Sequence, residues 1–170
     1  MQQVIDQALT IHANSEKLGL GVDVVEIERM RKILKRTPSF AEKMFSAAEV
    51  RYCQNKPEPE IHFAARFAAK EAVLKALGVG FSQGVAYTDV EVKLKNGGAP
   101  DTLLHGRAQE IADEAGVADI PLSISYTKTE AVCVAIAITK TSIEAREKSK
   151  VAVDEITGKF KDLRGMLDAI

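Results

Sequence analysis

The sequence contains few of the residues that build covalent or metal-centred scaffolds. Cys53 and Cys133 are its only cysteines, and they form no C-x-x-C pair. A disulfide framework and a cysteine-rich zinc site are therefore excluded, and a reducing cytoplasm is the expected compartment. No run approaches the ~20 apolar residues of a spanning helix, and the N-terminus lacks the apolar core of a secretion signal. We expect neither a membrane partner nor export.

The chain also lacks an excess of charge of either sign. Lys and Arg number 23 and Asp and Glu number 24, so the formal net charge is −1. A protein that coats nucleic acid is far more basic, and no nucleic-acid partner is expected. Hydrophobic residues make up 46% of the 170 residues, which is enough for the core of one domain.

Several well-known catalytic motifs are missing. The pair Gly19-x-Gly21 lacks the third glycine of a dinucleotide fingerprint, and there is no Walker A loop, H-E-x-x-H or G-x-S-x-G. The three histidines stand alone, so a histidine-based zinc site is not expected.

Hydrophobic periodicity predicts helices and strands without regular β-α alternation. We predict helices at 1–17, 26–36, 40–53, 63–77, 106–115 and 141–170, and strands at 18–25, 89–94, 102–104, 122–126 and 131–139. A capping box formed by Ser46 and Glu49 is expected inside the helix at 40–53. The expected fold class is α+β: a small single domain of helices and antiparallel sheet at 18–139, with a helical extension at 1–17 and an extra C-terminal helix at 140–170.

Asp23 is unusual because it lies inside the first predicted strand. Aspartate is depleted from strands, yet the segment reads Leu-Gly-Leu-Gly-Val-Asp-Val-Val. Two explanations stay open at this point. Asp23 either caps the helix that begins near Glu26, or it is a ligand for a hard metal ion at the end of the strand.

The alanine-rich helix at 63–77 carries two charges on a face that is otherwise small or apolar. At ~100° per residue, Lys75 lies about 40° from Glu71, while Arg66 and Lys70 point elsewhere. Glu71 and Lys75 either form an i,i+4 ion pair worth a few tenths of a kcal/mol or face a closely approaching ligand. We favour the ligand, because such ion pairs usually occupy solvated faces.

Cations crowd the helix at 26–36. Arg29, Arg31, Lys32, Lys35 and Arg36 are followed by Lys43 on the next helix, with no acid between Glu28 and Glu42. A local cationic surface on a nearly neutral protein suits an acidic macromolecular partner or a phosphate-rich ligand.

Two motifs together resemble the signatures of the 4′-phosphopantetheinyl transferases. They are Gly21-Val22-Asp23 and the segment R-F-A-A-K-E-A-V-L-K-A at 66–76. The likeness is closest to the small holo-[acyl carrier protein] synthase group and extends from about Leu18 to Thr139. It implies transfer of 4′-phosphopantetheine from coenzyme A to a serine of an acyl carrier protein or carrier domain, in fatty acid or polyketide biosynthesis. It also implies a Mg²⁺-dependent homotrimer with active sites between subunits.

The resemblance assigns roles to individual residues. It implies that Asp23 and Glu71 hold Mg²⁺ and that Glu71 and Lys75 are catalytic. Coenzyme A would contact Arg66, Lys75, Gly78, Gly80, Tyr126 and Thr127. The carrier protein would dock on Arg29, Lys32, Lys35, Arg36 and Lys43.

The late strand departs from the family pattern. Relatives commonly read H-x-S-x-[ST]-H there, whereas this chain has Pro121 and Tyr126 at the two histidine positions. Tyrosine, with a reference pKa near ~10, is a poor base at neutral pH. We therefore expect Tyr126 to bind coenzyme A, and Glu71 or the metal site to accept the serine proton.

Two alternatives to this transferase are a non-catalytic module that binds coenzyme A or a carrier protein, and a Mg²⁺-dependent nucleotide pyrophosphatase. Binding alone would not require two carboxylates beside a polyphosphate, so Asp23 and Glu71 favour catalysis.

Overall fold

The computed structural model describes residues 19–80 and 83–167, with side chains as far as Thr157 except that of Glu155. The helix predicted at 1–17 lies outside this part of the chain. The chain divides into two compact units, of which Lys17–Thr139 is the larger, and Lys140 and the residues after it belong to the other.

The larger unit mixes helices and strands along the chain. Its helices are α1 (Ile27–Arg36), α2 (Ser39–Met44), α3 (Ala47–Gln54), α4 (Pro59–Ala76) and α5 (Gly106–Glu114). Its strands are β1 (Gly19–Glu26), β2 (Val90–Leu94), β3 (Pro100–Leu104), β4 (Val117–Asp119), β5 (Leu122–Tyr126) and β6 (Glu130–Thr139). The other unit contains α6 (Lys140–Leu167), which confirms the predicted C-terminal helix over the described residues.

The main sheet is antiparallel and centred on β6. Strand β1 pairs with β6 along its whole length, from Gly19 opposite Ala137 to Glu26 opposite Glu130. On the other edge of β6, β5 and β4 pair with successive stretches. Strands β2 and β3 form a separate antiparallel pair. The predicted α+β class is confirmed.

Helix α4 covers the inner face of this sheet, and small residues allow the close packing. Its alanines at 64, 65, 68, 69, 72 and 76 are buried. On β1, a β-carbon at Gly21 would overlap the carbonyl of Ala72, and one at Gly19 would overlap the carbonyl of Ala76. The two glycines of the G-x-G pair therefore serve helix–strand contact, as glycines do where a backbone approaches closely.

Two of the predicted helices have different bounds in the structure. The helix expected at 40–53 is two helices, because Phe45 adopts an extended conformation and Ser46 then caps α3. The Ser46 hydroxyl accepts a hydrogen bond from the Glu49 backbone N–H at 3.2 Å, and the Glu49 carboxylate accepts one from the Ser46 backbone N–H at 2.8 Å. The capping box thus begins a helix instead of lying inside one. Helix α4 begins at Pro59, earlier than predicted, because proline is well suited to a first helical turn.

Within the described residues, no helix has both the length and the apolar character needed to cross a membrane.

We predict that Gly21→Ala destabilises the protein by about 3 kcal/mol, because the new methyl group would meet the backbone of α4, which cannot move aside cheaply. Thermal unfolding measures the effect. Gly80→Ala is the matched control, since no described residue has an atom within 4 Å of a β-carbon there. Equal melting temperatures for Gly21→Ala and wild type would show that α4 can shift without cost.

Candidate active site

One cavity of about 320 Å³ brings together the two carboxylates identified in the sequence. Asp23 from β1 and Glu71 from α4 line it, together with Arg29 and Tyr87. The remaining lining residues are largely apolar: Val24, Val25, Met30, Ile33, Phe40 and Phe67. A few polar groups converging on an apolar wall are typical of a small-molecule site.

Asp23 is fixed by a lysine of α4. The Lys75 Nζ donates to Asp23 Oδ1 at 2.8 Å and to the Val22 carbonyl at 3.0 Å. Asp23 lies within β1, three residues before its last residue, so its predicted position at the strand end was wrong. It is not the helix cap either, because Glu26 is the N-cap of α1. Its partner is half exposed: the Lys75 side chain keeps 50% of its surface accessible and remains open to a ligand.

Glu71 has a different partner from the one that helical spacing offered. Glu71 and Lys75, both described by the structure, do not form an ion pair with each other. Instead the Tyr87 hydroxyl donates to Glu71 Oε1 at 2.5 Å. The Tyr87 ring stacks on Phe67, with centroids 5.1 Å apart. Burial, and then the hydrogen bond to Glu71, raise the pKa of Tyr87 well above its usual range. The phenol is therefore a donor at neutral pH.

Tyr87 was missed by the sequence analysis. It lies in a short 3₁₀ turn, Tyr87–Asp89, just before β2. Its separation of 16 positions from Glu71 follows no helical or strand period. The only signal was an aromatic residue in the segment that follows the glycine loop, which indicates nothing by itself.

Lys70, beside Glu71 in sequence, is a fully buried structural cation. Its Nζ lies 2.9 Å from Glu49 Oε2 and donates to the carbonyls of Tyr87, at 3.0 Å, and Val90. The other Glu49 oxygen, Oε1, accepts from the Val92 backbone N–H at 3.0 Å. Burial lowers the pKa of Lys70, and the Glu49 carboxylate opposes that shift. The pair therefore joins α3, α4 and β2, and it also bonds the backbone of Tyr87.

Arg66 and Tyr126 lie in a second cluster, of aromatic and cationic side chains. The Arg66 guanidinium stacks on Tyr52 at 3.9 Å, and the His62 ring contacts both Tyr52 and Tyr126, at 5.8 and 6.0 Å. Arg66 Nε is buried with no hydrogen-bond partner among the described residues. Burial, together with the charges of Lys56 and Arg66, lowers the pKa of His62 and thus favours the neutral ring.

The other predicted coenzyme contacts are in the loop after α4 and in the β5–β6 turn. Gly78 follows α4 with a φ of +69°, and Gly80 comes two residues later in the same loop. At ~1.5 Å per residue, Gly78 lies about 18 Å along the helix from Arg66. Thr127 belongs to the β5–β6 turn, where its hydroxyl accepts from the Thr129 and Glu130 N–H groups at 3.1 Å. Within one chain Gly78 therefore does not lie beside Arg66, whereas Thr127 directly follows Tyr126.

The cationic surface of α1 is less uniform than the sequence indicated. Arg31 is paired with Glu28 and with Glu60, which α4 contributes from 29 positions away. Lys32 also lies 3.8 Å from Glu28. Arg29, Lys32 and Arg36 line an outer cavity of about 310 Å³ with Glu26 and Ile33. Arg29, Lys35, Arg36 and Lys43 form no ion pair with any described residue.

The donor set suits a hard divalent cation. Carboxylate oxygens are the ligands that Mg²⁺ prefers, and proteins usually bind it through one or two carboxylates plus water and substrate phosphates. Asp23 and Glu71 on one cavity provide that number. No group of three or more His, Cys, Asp or Glu side chains able to hold a metal was found in the described part of the chain.

Comparison with known proteins gives a consistent result. The family model for the 4′-phosphopantetheinyl transferase superfamily matches residues 19–137. The holo-[acyl-carrier-protein] synthase of Syntrophus aciditrophicus is 44% identical over 119 residues, covering 69% of this chain and 93% of the relative. That of Moorella thermoacetica is 42% identical over 119 residues, covering 70% and 92%.

Solved structures agree in fold. The holo-[acyl-carrier-protein] synthase of Helicobacter pylori, solved in complex with coenzyme A, is 30% identical, with a TM-score of 0.62, and the match covers 70% of this chain and 99% of that one. The Plasmodium yoelii enzyme is 31% identical, with a TM-score of 0.65, and the match covers 74% and 97%.

Proposed function

This chain belongs to the 4′-phosphopantetheinyl transferase superfamily, and from that premise we propose that Asp23, Glu71 and Lys75 carry out its reaction. The protein transfers 4′-phosphopantetheine from coenzyme A to a serine of an apo acyl carrier protein and releases adenosine 3′,5′-bisphosphate. The observation that supports these roles is the meeting of both carboxylates at one cavity, with Lys75 bonded to Asp23.

We propose that Asp23 and Glu71 hold Mg²⁺ during the reaction. When bound, the ion supplies positive charge that neutralises the pyrophosphate oxygens of coenzyme A. Lys75 adds a second positive charge at the edge of the same site, as lysines do beside phosphates. Because half of the Lys75 side-chain surface is accessible, its ammonium group can contact a phosphate bound beside Asp23.

The serine hydroxyl attacks the β-phosphorus, and the bond between that phosphorus and the bridging oxygen breaks. We assign the serine proton to Glu71. Its Oε1 is occupied by Tyr87, whereas no described residue bonds Oε2. Tyr126 does not line this cavity and is 52% exposed, which supports its assignment to binding and not to proton transfer.

We propose that the cluster around Arg66 and Tyr126 binds the nucleotide end of coenzyme A. The aromatic rings provide stacking surfaces for the adenine ring. The cations Arg66 and Lys56 suit the phosphates of the nucleotide. Arg66 Nε is a buried donor that still lacks a partner among the described residues. Gly78, Gly80 and Thr127 remain predicted contacts for the remainder of the coenzyme.

We propose that an acidic carrier protein docks on α1. Arg29 lines both the outer cavity and the cavity of Asp23 and Glu71, so a carrier protein bound to α1 would lie next to the reacting groups. We further propose a cytoplasmic role in fatty acid or polyketide biosynthesis. Cys53 and Cys133 are both buried and free, as suits a reducing compartment.

We propose a homotrimer that covers the outer face of the main sheet with other copies of this chain. Leu20, Val22 and Val24 on β1 lie opposite Ile136, Val134 and Val132 on β6. Five of these six side chains are exposed, Leu20 by 62%. A contiguous aliphatic face of this kind is typical of a subunit interface.

The transfer assay tests the proposed function. With coenzyme A, Mg²⁺ and an apo carrier protein, we expect the carrier to gain the mass of one phosphopantetheine arm. Asp23→Ala and Glu71→Ala should each lower kcat at least about 100-fold, which is about 2.7 kcal/mol of barrier, and Lys75→Ala about tenfold. Glu110→Ala, an exposed acid outside the cavity, is the control. Full activity in Asp23→Ala would contradict the proposed metal site. Cleavage of coenzyme A in the absence of a carrier would indicate a pyrophosphatase.

Charge reversal tests the docking surface. Arg36→Glu combined with Lys43→Glu should raise the KM for the carrier, leave coenzyme A affinity unchanged and weaken the salt dependence, because exposed charges act mainly on encounter. Lys148→Glu on α6 is the control. Arg29 is left intact because it also lines the inner cavity. A loss of coenzyme A binding would assign this surface to the nucleotide instead.

Light scattering tests the homotrimer. We expect three chains for wild type and fewer for Val134→Asp combined with Ile136→Asp, since burying unpaired carboxylates at an interface is costly. Leu103→Asp, which also replaces an exposed aliphatic residue but lies on β3, should leave the mass unchanged. A wild-type mass of one chain would contradict the proposal.

A further inference from the structure

Glu71 is held on the cavity wall by one donor from outside its own helix. The Tyr87 hydroxyl donates to Glu71 Oε1 at 2.5 Å. Hydrogen bonds to a carboxylate at this distance are short and charge-assisted, and they are stronger than neutral ones. The other cavity carboxylate, Asp23, is held in a comparable way by Lys75 at 2.8 Å.

Tyr87 is itself fixed at both its ring and its backbone. The ring stacks on Phe67 with an interplanar angle of 26°. The Tyr87 carbonyl accepts from the buried Lys70 Nζ at 3.0 Å, and Lys70 is anchored by Glu49 at 2.9 Å. A hydroxyl supported in this way occupies one place and can impose one orientation on its acceptor.

We propose that Tyr87 is a positioning residue for the transfer reaction: its hydroxyl locks the Glu71 carboxylate so that Oε2 is left for the substrate and the cation. The inference rests on the proposed function, in which Glu71 binds the cation and accepts the serine proton. Residues that orient metal ligands commonly contribute 10–100-fold to metal affinity or activity. A free carboxylate would instead sample several rotamers, and each productive encounter would have to select one.

Tyr87→Phe isolates the hydroxyl, because it keeps the ring that stacks on Phe67. Thr102→Val is the matched control. It also deletes one partly buried hydroxyl, which donates to the Ile120 carbonyl at 3.0 Å, but Thr102 does not line the cavity of Asp23 and Glu71. Both variants should unfold at temperatures close to that of wild type.

Two measurements on the full chain test the role. Electron paramagnetic resonance of free Mn²⁺, with coenzyme A present and no carrier, measures cation binding without turnover. The transfer assay measures kcat and the KM for the carrier. We expect Tyr87→Phe to weaken Mn²⁺ binding about tenfold and to lower kcat by a similar factor, with the carrier KM unchanged. Thr102→Val should change neither quantity.

The outcomes separate this inference from the function on which it rests. Wild-type Mn²⁺ affinity and kcat in a folded Tyr87→Phe protein would overturn the inference and leave the transferase standing. Equal losses in Tyr87→Phe and Thr102→Val would overturn it too, since they would reflect general destabilisation. A wild-type protein that neither binds Mn²⁺ nor modifies the carrier would overturn the proposed function, and the role of Tyr87 with it.

Discussion

The close approach of α4 to β1 is the constraint on which the candidate site depends. The backbone of β1 at Gly19 and Gly21 lies so close to the carbonyls of Ala76 and Ala72 that no side chain would fit at either position. Because the two backbones nearly touch, Lys75 reaches across to both the Val22 carbonyl and Asp23. A larger residue at either glycine would push the helix outward and separate the lysine from its carboxylate. The geometry of the charged groups is therefore set by the absence of two β-carbons.

Adjacent residues of α4 perform opposite tasks because they are ~100° apart around the helix axis. Lys70 points into the interior, where its charge is tolerated only through Glu49 and two carbonyls. Such a buried pair is costly to desolvate, and removing either partner would leave an uncompensated charge. Glu71 points into the cavity. The carbonyl of Tyr87 bonds Lys70 and its hydroxyl bonds Glu71, so the buried ion pair and the cavity share one tyrosine.

The proposed docking surface depends on which cations of α1 and α2 are left without an ion pair. The net charge of −1 gives no long-range attraction, so steering must come from a local surface. Pairing with Glu28 and Glu60 removes Arg31 from that surface and leaves Arg29, Lys35, Arg36 and Lys43 as its unpaired cations among the described residues. Arg29 lines both the outer cavity and the cavity of Asp23 and Glu71, so the proposed docking surface adjoins the candidate site.

The sequence by itself predicted the α+β class, the long alanine-rich helix and the central strand β6, and it singled out Asp23, Glu71 and Lys75 as candidate site residues. These features depend on local periodicity or on contiguous motifs, and both can be read along a single chain. The partners of those residues could not be read there. The i,i+4 spacing on the helix indicated a pair between Glu71 and Lys75. In the fold, Lys75 instead bonds Asp23, 52 positions away, and Glu71 bonds Tyr87, 16 positions away. The fold likewise pairs Arg31 with Glu60, which lies 29 positions away in the sequence. Only tertiary packing decides such pairs, because a hydrogen bond requires two atoms to lie about 3 Å apart and backbone periodicity sets no distance between separate elements.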